Sequence, residues 1–181
     1  SSELCVAVRN KLEEARLGVF EGDEMQAVKP VLETQAEFSR IPAKDELLIE
    51  RVTSREGEHL FVYPFEGRLV HEGLSALFAY RIAQLEPLTF TFASNDYGFE
   101  LLSPSRAPIE QALDQGLLTG EHLLHDILAS LNAVELARRL ARAELEERPL
   151  IDAPEAAGGY LCAALATELR EVMGGLLLDA K

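Results

Sequence analysis

No apolar run in this chain approaches the roughly 18 to 20 residues needed to cross a bilayer, which argues against a membrane-spanning protein. Positive charge is scarce: Lys+Arg 17 against Asp+Glu 31 leave a formal net charge of −14. Non-specific affinity for nucleic-acid phosphates comes from clustered Lys and Arg, so the bulk charge opposes a free-standing nucleic-acid binder and leaves room only for a local basic strip. Cysteine is nearly absent. Cys5 and Cys162 stand far apart, each in an apolar stretch. Two buried thiols in a reducing cytoplasm are expected, rather than a disulfide staple. The first residues are Ser1-Ser2-Glu3, without an initiator Met or the basic-then-apolar pattern of a secretory leader. An excised piece of a larger cytoplasmic protein is the expectation.

Catalytic signatures are missing too. No Gly-rich loop ends in Gly-Lys-Ser/Thr, the arrangement that holds nucleotide phosphates. No Gly-x-Gly-x-x-Gly follows a strand, which excludes a dinucleotide fold. His71-Glu72 resembles the start of a zinc-protease helix, but position 75 is Ser where a second His would share the metal. His122 and His125 read as solvated helix histidines, and no strained Gly-x-Ser-x-Gly elbow positions a nucleophile. The chain itself is expected to be no enzyme, with no metal and no cofactor.

What is present is 181 residues, 48% of them hydrophobic, enough for one domain with a real core. Helical spacing runs from Leu4 to Phe20, and a second helix is expected over Asp23 to Phe38, where Pro30 must sit in a first turn or force a kink. Glu46 to Val52 and His59 to Phe65 are strand-like around a hairpin turn at Ser54–Glu58. Gly67 opens a strong helix whose apolar face includes Leu74 and Leu77, and Pro87 stops it. Leu88 to Ala93 and Phe99 to Leu102 form two more strands about the turn Asn95-Asp-Tyr-Gly98, where Asn, Asp and Gly suit left-handed backbone angles. Beyond Pro104 the pattern is helical: Ile109 to Leu117, a helix capped by Thr119, one from Asn132 into Glu147, and one from Tyr160 to Leu178. The expected fold is α+β, with N-terminal helices over 1–45, a ββαββ core with an antiparallel sheet over 46–103, and a C-terminal helical region over 104–181.

Two features suit phosphate contacts. Arg68, His71, Glu72 and Ser75 lie at i, i+3, i+4 and i+7, a spacing that predicts one wet helix face opposite Leu74 and Leu77. Arg68 stands at the helix start, where free amides favour an anion, or else pairs with Glu72. Arg138, Arg139 and Arg142 make the densest positive cluster, although Glu135, Glu144, Glu146 and Glu147 around it fit structural ion pairs as well. Tyr97 in the hairpin turn is placed to stack on a base, whereas Phe99 suits the core.

The runs His59-Leu-Phe-Val-Tyr-Pro-Phe-Glu-Gly-Arg-Leu-Val-His-Glu-Gly-Leu74 and Asn95-Asp-Tyr-Gly-Phe-Glu-Leu-Leu-Ser103 resemble the C-terminal DEAD/H-associated region of ligase-associated DEXH-box helicases. These are bacterial relatives of the large helicase-related (Lhr) proteins. Lys11 to Gly18, Leu47 to Arg51 and Asp126 to Arg139 extend the resemblance over about residues 5 to 140. It implies a module that follows two RecA-like motor domains and a winged helix in a 3′-to-5′ DNA helicase of DNA repair. Such a module helps enclose single-stranded DNA, and its fold is similar to type III secretion chaperones. ATP and Mg are implied only for the motor, which is not in this sequence, and the tail from Glu144 to Lys181 does not follow the family pattern. Single-stranded DNA, bound weakly by this chain alone, and the RecA-like and winged-helix domains are the implied partners, with no membrane. An acidic protein-binding chaperone of the secretion class is the alternative that the bulk charge suits.

Overall fold

A computed structural model describes residues 2–131 of the chain. Two helices, α1 (Ser2–Arg16) and α2 (Asp23–Phe38), precede the strands β1 (Leu48–Thr53) and β2 (Glu58–Tyr63). A long helix α3 (Arg68–Leu85) leads to β3 (Thr91–Ser94), β4 (Phe99–Ser103) and a short helix α4 (Ile109–Asp114). Helical backbone resumes over 123–131. The expected helices from Asn132 and from Tyr160 lie outside the described residues, as do Cys162 and the basic cluster Arg138, Arg139 and Arg142.

The four strands form one antiparallel sheet in the order β1-β2-β4-β3. The expected ββαββ core is therefore observed. Strand residues alternate between faces, so the register separates two surfaces. Leu60 and Val62 of β2 face the helices together with Phe99 and Leu101 of β4 and Phe92 of β3. They meet Leu74, Leu77, Phe78 and Ile82 of α3, with Leu117, Leu123 and Ile127 closing the core. The Phe78 and Phe99 rings meet edge-on at 5.4 Å, the favoured arrangement for aromatic quadrupoles. On the opposite face stand Phe61 and Tyr63 of β2, Glu50 and Val52 of β1, and Glu100 and Leu102 of β4. The His59 ring also lies there, stacked on Phe61 at 5.9 Å. One apolar face buried and the other open is a normal state for an antiparallel sheet.

Several expected boundaries move for identifiable reasons. β3 begins at Thr91, not Leu88: it pairs with Leu102, and extending the ladder would bring residue 89 opposite Pro104, which has no N–H. Leu88 and Phe90 pack against the core instead. α4 stops before Leu117 because Gly116 adopts φ 86 and terminates it. Its N–H reaches the Leu113 carbonyl at 3.1 Å, and the Leu117 N–H reaches Ala112 at 2.8 Å, which satisfies the last carbonyls of the helix. Thr119 accepts a bond from the Glu121 N–H at 3.3 Å and so shapes the preceding turn; the helical segment starts only at residue 123. α2 runs continuously through Pro30, which lies on an exposed part of the helix and leaves the Gln26 carbonyl without its usual helical donor.

The N-terminal helices make a small cluster of their own from Ala15, Met25 and Ile41, with Leu12, Phe20 and Leu32 beside it. Arg9 fastens α1 to the rest. Its guanidinium donates to the Pro64 carbonyl, to the Lys44 carbonyl at 2.8 Å and to Glu66 at 3.1 Å.

Candidate nucleic-acid interface

The two sequence runs that stand out in the chain meet at one end of α3. β2 ends at Tyr63, and Pro64 to Gly67 carry the backbone into the helix, with Phe65 at φ 55. The Phe65 N–H donates to the Tyr97 carbonyl at 3.1 Å, which ties this loop to the β3–β4 turn. Within that turn the Asn95 side-chain oxygen accepts from the Tyr97 N–H at 2.8 Å and the Gly98 N–H at 3.0 Å. The side chain thus mimics a backbone turn. None of Asn95, Asp96 or Gly98 takes the left-handed angles expected of them. Gly98 is required for another reason: a Cβ there would lie 2.4 Å from the Val62 carbonyl oxygen.

His71 pins the two segments together. It is fully buried, its Nε2 accepts from the Glu66 N–H at 3.0 Å, and its Nδ1 donates to the Asn95 carbonyl at 2.6 Å. These partners define a neutral ring protonated at Nδ1. Burial pushes its pKa below the ordinary histidine value, against the opposing pull of the Asn95 carbonyl and of Asp96. The expected wet face of Arg68, His71, Glu72 and Ser75 is therefore corrected. His71 and Ser75 share the buried stripe of Leu74, Phe78 and Ile82, as spacings of three, four and seven from His71 equally allow. His71 is a structural pin with no exposed atom to offer a strand. Ser75 satisfies its hydroxyl on the Glu72 carbonyl at 2.9 Å.

Arg68 and Tyr97 remain accessible, with 67% of the Arg68 side chain and 54% of Tyr97 exposed. Both line a small pocket of about 100 Å³ whose other walls come from Leu4, Cys5 and Val8 of α1 and from Phe65 and Asp96. Residues 29 positions apart in sequence are brought to one rim (97 − 68) by the His71 pin and the Phe65–Tyr97 bond. Electrostatically the rim is mixed. Arg68 Nε pairs with Glu72 at 3.2 Å, and Asp96 adds a carboxylate. Burial, reinforced by Glu66, pushes the Cys5 thiol up, so it stays protonated and unreactive.

Spacing did not reveal two arginines that organise the described residues. Arg9 carries no periodic signal that marks it as a clamp. Arg81 lies in the helical pattern of α3, yet its side chain is only 10% exposed. It pairs with Asp126 at 2.9 Å and donates to the carbonyls of Leu117 and Thr119 at 2.8 Å and of Glu121 at 3.1 Å. The loop before the 123–131 helix is thereby held on α3. A carboxylate forty-five residues downstream (126 − 81) is invisible to local spacing. His122 and His125 are exposed, and among the described residues no group of three or more His, Cys, Asp or Glu side chains is placed to hold a metal ion.

Residues 41–145 match the family model described as DEAD/H associated. The chain is 26% identical over 117 residues to the ATP-dependent helicase Lhr-Core of Methanocaldococcus jannaschii, covering 65% of this chain and 14% of that protein. It is 29% identical over 135 residues to the ATP-dependent helicase Lhr-Core protein 2 of Thermococcus barophilus, covering 73% of this chain and 16% of that protein. The chain thus spans about one seventh of the length of these relatives. No solved structure matches it. The match covers more than half of the chain and contains the whole ββαββ core, both runs that meet at His71 and the helix that Arg81 clamps; the chain belongs to the DEAD/H-associated family.

Proposed function

We propose that this chain is an accessory domain of an ATP-dependent DNA helicase that helps enclose and guide single-stranded DNA, with no ATPase chemistry of its own. The observation that carries this reading is the shared rim of Arg68 and Tyr97, a guanidinium and an aromatic ring at one accessible edge. A guanidinium suits a phosphate and a phenol ring suits a base face, the two contacts a single strand offers at every step. Family membership and the helicase names of the relatives support the same reading. Arg138, Arg139 and Arg142 belong to the proposal as further phosphate contacts on their sequence spacing. A setting in DNA repair rests on the sequence resemblance. Glu72, Asp96 and the charge of −14 make the domain a weak binder alone, in the non-specific range of about 10⁻⁴ to 10⁻⁶ M or poorer. The motor and its neighbouring domains supply the remaining affinity.

The test uses a polypeptide that carries this domain together with its motor, titrated against labelled oligothymidylate over a series of salt concentrations. Arg68→Ala is expected to weaken binding by about 1 kcal/mol and to lower the salt slope by about one. Tyr97→Ala is expected to cost about 1–3 kcal/mol through lost stacking. Unchanged affinity in both folded variants would remove this rim from the strand path.

A further inference from the structure

A second surface is built for a different kind of ligand. On α2, Val28, Val31, Gln35 and Phe38 fall at spacings of three, four and three, a single helix stripe. α2 packs on α1 through Met25 and Leu32, from another side, so this stripe is left uncovered among the described residues. Val31 is 68% and Phe38 82% exposed, and with Val28 they share one helix stripe, so they are grouped rather than scattered singly. The stripe does not stand alone. Gln35 donates to Glu50 at 2.9 Å, and Glu50 belongs to the outward face of the sheet with Val52, Phe61, Tyr63 and Leu102. One side-chain bond therefore joins an apolar helix stripe to an apolar sheet face at a common corner.

Charge decides between ligands. Glu24 lies on the stripe, and Glu50 and Glu100 lie on the sheet face. No outward position of the four strands, and no position of the stripe, is Lys or Arg. Burial, with the Glu50 and Glu100 carboxylates beside it, pushes the Tyr63 phenol up, in line with a negative potential over this face. With His59 paired to Glu100 and no Lys or Arg on the face, the carboxylates disfavour a phosphate ligand there. We infer that the joined stripe and sheet face dock an amphipathic protein helix with apolar side chains along one stripe and Lys or Arg at its rim. Laying an apolar helix face into such a corner is a recurring recognition mode, and the basic rim matches the carboxylates. The relatives hold roughly six-sevenths of their length outside the part that this chain matches, ample polypeptide to supply such a segment. This surface shares no residue with the Arg68–Tyr97 rim.

The experiment titrates the full chain with a labelled amphipathic helical peptide of Leu and Lys, followed by fluorescence anisotropy. Matching Leu and Glu peptide and oligothymidylate serve as competitors. Phe38→Asp and Val31→Asp, both at exposed positions, are expected to keep the wild-type melting profile and to weaken the Leu–Lys peptide at least about tenfold. The double variant Glu24→Gln with Glu100→Gln is expected to weaken it and flatten its salt dependence, while neither competitor displaces it. Equal binding by wild type and both Asp variants overturns the inference, as does displacement by oligothymidylate. Sedimentation that shows a wild-type dimer and a monomeric Phe38→Asp variant also overturns it, because a second copy would then own the surface.

Discussion

Replacing His71 by Leu isolates the work of the pin. Leu is similar in bulk and apolar, so packing against Phe99, whose ring centroid lies 6.4 Å from the imidazole, is largely kept. What is lost is both hydrogen bonds, which leaves the Glu66 N–H and the Asn95 carbonyl without their partners at a fully buried side chain. An unsatisfied buried polar group costs about 1–3 kcal/mol, so two of them, partly relieved by water at the loop, predict a loss of about 2–4 kcal/mol. For a chain of this size that lowers Tm by roughly 5–15 °C. The pH dependence is a second readout. Burial holds the native pKa of His71 below its unfolded value near 6.5, so below that pH the unfolded chain binds a proton that the native chain refuses. Wild-type stability is therefore level in this respect above about pH 6.5 and falls as the pH drops beneath it. Below that pH the stability difference between wild type and His71→Leu should shrink, since the variant has no ring to titrate there and the other histidines cancel in the comparison. Urea unfolding of both proteins from pH 7.5 to 5.5, an illustrative range of roughly one unit either side of the free histidine value, measures both effects. Hydrogen exchange at the Phe65 N–H, which the pin holds against Tyr97, should also accelerate in the variant. A stability loss under about 0.5 kcal/mol, or a pH-independent difference, would refute the assignment of His71 as a neutral buried pin.

Gly98→Ala drives a Cβ to 2.4 Å from the Val62 carbonyl oxygen, so it should destabilise the chain by about 1–3 kcal/mol or more and lower the melting temperature measurably. Arg81→Met removes the guanidinium from Asp126 and from the loop carbonyls, and a loss of about 2–4 kcal/mol with faster proteolysis near residues 116–122 is expected. Arg68→Ala, by contrast, breaks only an exposed pair and should change stability by about 0–1 kcal/mol. Calorimetry of the chain with ATP and Mg²⁺ should show no stoichiometric heat, because the sequence holds no Gly-Lys-Ser/Thr phosphate loop.

Periodicity made the core legible and the polar positions deceptive. The alternation of β2 and β4 and the apolar spacing of α3 mark the elements because burial acts on many residues at once. The same helical spacing offered two places for His71, since residues three and four apart are neighbours on any face. Its spacing from the polar Arg68, Glu72 and Ser75 points to the wet side. Its true place depends on two backbone partners, Glu66 and Asn95, that exist only once the sheet has formed. Arg9 and Arg81 were invisible for the same reason: each satisfies carbonyls of distant loops, a relation that no local window contains. The end of α4 was legible in principle, for Gly116 stands where the chain needs a left-handed residue, but the apolar Leu117 beyond it extends the pattern.

The rim's chemistry depends on these hidden ties more than on its own residues. Arg68 and Tyr97 are long or exposed side chains whose accessible positions would vary widely if their backbones were free. A contact that must order two such groups loses up to about 2 kcal/mol to side-chain entropy for the arginine alone. The backbone cost has already been met in folding: His71 locks the 64–67 loop to the 95–98 turn, the Phe65–Tyr97 bond repeats the lock, and Arg9 fixes α1 as the opposite wall. Under the proposed function, an acidic domain that supplies few cations would contribute geometry, holding one guanidinium and one ring on a common rim beside the path of a strand that other domains attract. Under that proposal His71→Leu should weaken strand binding by a polypeptide that carries this domain with its motor, even though the buried ring has no exposed atom to touch a ligand. Arg68→Ala should weaken it without touching the fold. A double variant that loses no more affinity than His71→Leu alone would show that the pin acts through Arg68, and fully additive losses would assign its effect elsewhere.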